Sequence, residues 1–208
     1  DGAPPMCWAA PLVYAPSRGT MILYGGQRGN TVSTAMRSVW ELDLATLTGH
    51  DRTPQPTTPP GQRISHAAAF DRVRGQMVVH GGVNESSVRL GDTWTYDPDA
   101  GTWTQALGGG ASPGIRAEAA MAFDEARGVV VLFGGVVGPS GQIYDETTWE
   151  WNGSEWRDAT PSGPSPRGRR RATLVYDADH RAVVLLGGNI SLTGNNAPPL
   201  ADVWKFDG

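Results

Sequence analysis

The chain has 208 residues, 18% of them charged, a formal net charge of −4, 28 glycines and 16 prolines. Such a composition excludes a helical bundle and a disordered chain; it points to a loop-rich all-β protein, long enough for a real core and taken as one domain. The mildly acidic balance lacks the basic face that nucleic acid requires, the single cysteine, Cys7, excludes an internal disulfide framework, and no run of 18 apolar residues is present to span a membrane.

Residues 1–5 read as a turn between sheets. The first apolar run, Met21-Ile22-Leu23-Tyr24, ends in Gly25-Gly26. The same unit returns as Met77-Val78-Val79-His80-Gly81-Gly82, Val130-Val131-Leu132-Phe133-Gly134-Gly135 and Val183-Val184-Leu185-Leu186-Gly187-Gly188. The first glycines of the pairs lie 56, 53 and 53 residues apart. A fixed period near 50 points to sheets repeated radially in a propeller.

The rest of the period repeats as well. Arg63, Arg116 and Arg169 each stand seven residues before an aromatic, Phe70, Phe123 and Tyr176, followed by Asp71, Asp124 and Asp177. The first copy has Cys7, Tyr14 and Ala15 at these places. After each glycine pair comes a variable stretch, then Trp40, Trp94, Trp149 or Trp204, and three residues later Asp43, Asp97, Asn152 or Asp207. Trp103 and Trp156 close the second and third copies. Each copy offers four short β-runs, at 65–70, 76–80, 93–96 and 102–105 in the second. The recurring tryptophans, Trp94 and Trp149 above all, are expected to be buried as filler between blades.

The blades fall at about 1–57, 58–109, 110–162 and 163–208. The first closing strand is expected near residues 46–50, without a tryptophan, and the fourth copy ends before its closing strand. Three arrangements fit: an excerpt of a longer propeller, a four-bladed ring, or a half that closes with a second chain. The first and third are preferred.

The order arginine, aromatic-aspartate, apolar run with Gly-Gly, Thr-Trp, Asp or Asn turn and closing tryptophan resembles kelch repeats. In the third copy it is Arg116, Phe123-Asp124, Gly134-Gly135, Thr148-Trp149, Asn152 and Trp156. It looks most like bacterial kelch proteins and the galactose oxidase-like propeller, and implies an all-β kelch-type β-propeller of four repeats of about 53 residues. The oxidases of that group hold copper with tyrosines and histidines beside a cysteine crosslinked to tyrosine. Here Cys7 and Tyr14 have no Tyr-His pair to join them. His50, His66, His80 and His180 show no metal-ligand spacing, and no catalytic motif is present. No cofactor, metal or catalytic residue is therefore expected.

Four variable loops, residues 27–37, 83–91, 136–146 and 189–201, sit at one point of the repeat and so on one rim, where binding residues concentrate. Arg28, Arg37, Asn84, Asp145, Glu146, Asn195 and Asn196 are the candidate binding residues. The expected function is a non-catalytic interaction module for a protein or glycan. The alternatives are a sugar-converting enzyme and an architectural unit of a larger extracellular assembly, whose open blade invites a neighbour's strand. The basic run Arg167, Arg169, Arg170 and Arg171 reads as an exposed strand edge that resists pairing. Secretion or the cell surface is the expected location, and Asn84, Asn152 and Asn189 each begin an N-glycosylation pattern.

Overall fold

The computed structural model describes residues 2, 6–54, 60–107, 110–138, 143–190 and 199–208. Its strands are β1 (Leu12–Ala15), β2 (Thr20–Tyr24), β3 (Val39–Asp43), β4 (Gly49–Asp51), β5 (Ala67–Asp71), β6 (Gln76–His80), β7 (Thr93–Asp97), β8 (Thr102–Gln105) and β9 (Arg116–Ala117). They continue with β10 (Ala120–Asp124), β11 (Val129–Phe133), β12 (Val136–Val137), β13 (Ile143–Tyr144), β14 (Thr148–Trp151), β15 (Trp156–Asp158), β16 (Thr173–Asp177), β17 (Ala182–Leu186) and β18 (Val203–Phe206). One turn of 3-10 helix, Val32–Thr34, is the helical element among the described residues.

These strands build four antiparallel blades: β1-β2-β3-β4, β5-β6-β7-β8, β10-β11-β14-β15 and β16-β17-β18. The inner strands touch in succession, β1 on β5, β5 on β10, β10 on β16. The chain is thus an all-β propeller arc. Alternation of side chains explains why its strands are apolar throughout. In β6, Met77 and Val79 join Val13, Ile22, Tyr24 and Val39 of the first blade, while Val78 turns to Met121, Phe123, Val130 and Leu132 of the third. A strand between two blades has no solvent face.

Each Gly-Gly pair ends a second strand with both residues in the left-handed region, φ 67° and 101° at Gly81 and Gly82. Space enforces the choice too. A Cβ on Gly81 would stand 2.3 Å from the Arg116 carbonyl oxygen of the next blade, and one on Gly82 would stand 2.7 Å from that of Ile64. No side chain fits against backbone at such range.

Several expectations change. The first strand of blade two begins at Ala67, because Ser65 has φ 53° and breaks the extended run. Blade one closes with Gly49–Asp51, and Gly2 exchanges two 3.0 Å backbone hydrogen bonds with Gly49, alongside that strand. The rest of the segment expected as an opening turn, residues 1 and 3–5, lies outside the described residues.

The third-strand tryptophans are not the main filler. Trp94 is buried but Trp149 is only half-buried. Each turns its indole N–H back to its own blade, to Asp92 at 2.6 Å, to the Thr147 hydroxyl at 2.8 Å and, for Trp204, to Asp202 at 2.7 Å. The closing tryptophans fill the joints instead. Trp103 lies 4.6 Å from the Tyr24 ring across the joint and 4.9 Å from Tyr96, and Trp156 is buried 5.5 Å from both Trp151 and His80. The arc has two open flanks. Leu12 and Tyr14 stand exposed on the outer side of blade one, and Val175, Leu186 and Val203 on that of blade four.

Candidate functional site

Three buried arginines tie the rim together. Arg63, Arg116 and Arg169 donate to the carbonyls of Gly81, Gly134 and Gly187, each 18 residues on, at 3.3, 2.9 and 2.9 Å. The same guanidinium groups also reach a carboxylate at the base of the returning loop: Asp92 at 3.1 Å twice, Asp145 at 3.2 Å, and Asp202 at 2.5 and 2.7 Å. The charge-assisted fork satisfies the glycine carbonyl and pins both loop ends at once. In blade three the clamp is relayed, since Thr147 donates to Asp145 at 2.5 Å and accepts from Trp149.

Blade one has lost both ends of this device. Cys7 replaces the arginine. Ser38 stands where the carbonyls of Asp92 and Thr147 accept from the first glycine, and its hydroxyl is buried without a partner. Burial pushes the Cys7 thiol upward, with Arg28 opposing, so it is not poised as a nucleophile. Tyr14 lies toward the far end of β1, opposite Met21.

Two residues after each clamp position the backbone turns left-handed: Ala9, Ser65, Glu118 and Arg171 have φ 58°, 53°, 60° and 54°. Their amides form a ladder across the blades, Ser65 N–H to Ala9 at 2.8 Å, Glu118 N–H to Ser65 at 2.8 Å and Arg171 N–H to Glu118 at 2.9 Å. Four non-glycine residues held in this region cost about 1–2 kcal/mol each, and such strain gathers at functional sites. The ladder borders a cavity of 370 Å³ at the axis, on the rim of the variable loops. Trp8 lies beside it, half-exposed, its indole donating to the Gly29 carbonyl at 3.0 Å.

His66 also lines this cavity. It is buried and neither ring nitrogen has a partner. Burial, reinforced by the Arg63 charge, lowers its pKa to about 3, so the ring is neutral at physiological pH. Its ring packs 5.2 Å from that of Tyr24, so the nitrogens are shut away from the cavity. Glu118 receives Arg170 at 3.2 Å and Arg171 at 2.7 Å. The basic run is therefore not a strand edge: Arg169 is a clamp, and Arg170 and Arg171 face this carboxylate.

The sequence candidates do not converge. Arg28 and Arg37 are exposed and share one shallow depression of 490 Å³ with Ser38, Asp51, Thr53 and Gln62. Asn84 accepts from the Ser86 and Val88 amides and so shapes its own turn. Asp145 is a clamp residue, its carboxylate already engaged. Glu146 beside it is exposed. Asn195 and Asn196 lie outside the described residues. The variable loops are also less free than expected, because Gln27, Val83 and Val136 each bridge both the preceding segment and the returning loop. Sequence reasoning missed Trp8, His66, Glu118 and Arg171. Their signal was position, one to three residues after the repeat's arginine or its substitute. Among the described residues no three His, Cys, Asp or Glu side chains group as a metal site.

The radial blades, the paired glycines and the arginine clamps define a kelch-type propeller. A family profile described as the KLHDC2/KLHL20/DRC7 Kelch-repeats domain matches residues 7–208, and the chain belongs to the Kelch-repeat family. It is 32% identical over 130 residues to "Dynein regulatory complex subunit 7" of Chlamydomonas reinhardtii, a match covering 62% of this chain and 11% of that protein. It is 32% identical over 157 residues to "Dynein alpha chain, flagellar outer arm" of the same organism, covering 70% of this chain and 3% of that protein. These matches support the kelch part of the sequence resemblance; both relatives are named for dynein assemblies rather than for oxidases.

Proposed function

We propose that the chain is a non-catalytic protein-interaction module that holds its partner on the loop rim, around the axial cavity. The observation that carries this reading is the axial cavity lined from all four blades, with the half-exposed Trp8 on its wall. Rigid clamps beneath the rim hold these groups before a partner arrives, which lowers the ordering cost of binding. One relative's name makes it a subunit of a complex, and that favours a place in a larger protein assembly. A glycan is the second reading, favoured by an indole face next to Ser65, Glu118 and Arg171.

The test is to compare Trp8→Ala and Arg171→Glu on the rim with Asp179→Lys on the opposite turns. Crosslinking in the native source identifies partners, and a glycan panel is run in parallel. Both rim variants are expected to lose the partner while still unfolding cooperatively, whereas Asp179→Lys keeps it. Loss confined to Asp179→Lys overturns the face assignment, and retention of a glycan but no protein at the rim selects the second reading.

A further inference from the structure

Blade one carries its cations differently from the other three. In blades two to four the repeat's arginine is buried in a clamp beneath the rim. Blade one has Cys7 and Ser38 at the clamp positions and places Arg28 and Arg37 on the rim instead. The residues that stand where Arg37 stands in the other blades are Gly91, Glu146 and Ala201, so blade one alone has a cation there. Both arginines are exposed, and among the described residues neither guanidinium meets a carboxylate. The clamp arginines, and Arg72, Arg74 and Arg127 of the opposite rim, are all ion-paired. With Ser38 in place of a loop-base acid such as Asp92 or Asp202, nothing neutralises Arg37 from below.

The loop that displays this pair is braced. Gln27, 1% exposed, donates its side-chain amide to the Gly29 carbonyl at 2.7 Å, which also accepts the Trp8 indole. The Gly29 N–H donates to Thr34 Oγ1 at 2.9 Å, and that hydroxyl donates to the Thr31 carbonyl at 2.7 Å. The returning segment is tied by the Met36 N–H to the Gly26 carbonyl at 2.7 Å and by the Arg63 N–H to the Met36 carbonyl at 3.1 Å. A backbone held this way presents its cations without a partner, which lowers the ordering cost of binding.

We propose that the 490 Å³ depression shared by Arg28 and Arg37 binds a phosphorylated serine or threonine in a segment of a partner protein. Each guanidinium offers parallel N–H donors that match phosphate oxygens two at a time. A phosphate near two negative charges satisfies both cations at one centre, whereas a carboxylate satisfies one. Thr53 also lines the depression; its oxygen accepts from the Val39 amide at 3.1 Å, and its own proton is left to give. Gln62 adds a side-chain amide. Asp51 is the carboxylate on this wall, and its Oδ1 accepts the Thr53 amide at 2.9 Å. The depression shares no lining residue with the axial cavity and stands or falls independently of it.

The probe is fluorescein-labelled Gly-Ala-Ala-phosphoserine-Ala-Ala-Gly, titrated by anisotropy to millimolar protein at low salt. Control peptides carry serine or glutamate at the centre, and inorganic phosphate is the competitor. The phosphopeptide is expected to bind at least tenfold tighter than either control. Arg28→Ala and Arg37→Ala, both surface changes, are each expected to lose most of that preference while melting as the parent does. Equal binding of the phosphoserine and glutamate peptides, absent binding, or full affinity in both variants overturns the proposal. So does competition by inorganic phosphate at the concentration of the peptide, which would assign the site to a free anion.

Discussion

His80 shows how much a single buried side chain decides. Its Nδ1 lies 2.9 Å from the Thr93 hydroxyl and its Nε2 3.1 Å from the Gly114 carbonyl. Because Nε2 donates to that carbonyl, Nδ1 accepts from Thr93, whose oxygen accepts in turn from Trp156. This chain needs the neutral ring. Burial, with the Arg116 charge beside it, lowers the His80 pKa to about 4, and His66 is lowered to about 3. Below the ordinary value of about 6.5 the unfolded chain takes up protons that the folded chain refuses. The histidine contribution is thus full above that pH and is lost as pH falls toward 4. A urea midpoint that is steady from pH 8 to 7 and drops from pH 6 to 4 is expected, with a shallower drop in His80→Phe, the residue blade three carries there. A wild-type midpoint flat between pH 7 and 4 would contradict the assigned burial. At the same scale, Trp156→Ala is expected to cost about 3–5 kcal/mol, and the half-buried Trp149→Ala roughly 1–2 kcal/mol, by denaturant unfolding. The reverse order would place the joint filler wrongly.

At the scale of the element, the unit is the clamp. The arginine, the first glycine and the aspartate lie far apart in sequence yet form one polar cluster in each of blades two to four. Removing one member leaves a buried polar group without a partner, whereas removing both spares the survivor. Blade one, with Cys7 and Ser38, shows that a blade folds without the pair. Arg63→Cys and Asp92→Ser are each expected to destabilise by about 2–4 kcal/mol, and the double variant by clearly less than their sum. A double-mutant cycle in urea measures this; strict additivity would mean that the two side chains act separately. On the opposite rim, Asp71, Asp124 and Asp177 cap their own turns by accepting amides two or three residues ahead. Those turns are alike because each solves the same local geometry.

Across the whole molecule, protection is set by how many sides of a blade are covered. Blades two and three are packed on both faces, while β16 and β18 of blade four alternate exposed and half-buried residues. In a radial array each unit draws its stability from its neighbours. Amide exchange is therefore expected to be slowest in β6 and β11 and fastest in β18, with β17 between. Uniform rates across the four blades would show that the arc opens as one unit, against this ordering.

The sequence alone determined the fold, because a propeller repeats one solution. Arginine, glycine pair and tryptophan return every 53 to 56 residues wherever the same joint must be built, and the eye can align them. All four second strands, Thr20–Tyr24, Gln76–His80, Val129–Phe133 and Ala182–Leu186, follow directly from their apolar runs and glycine stops. The function of Asp145 was not legible, since a loop carboxylate reads alike whether it faces solvent or Arg116 twenty-nine residues earlier. Nor was the axial cavity. Trp8, Ser65, His66, Glu118 and Arg171 come from four different blades, and only the radial arrangement brings them to one axis. Local pattern sets each strand; which side chains meet across blades is decided by the closure of the arc, a relation that no single repeat contains.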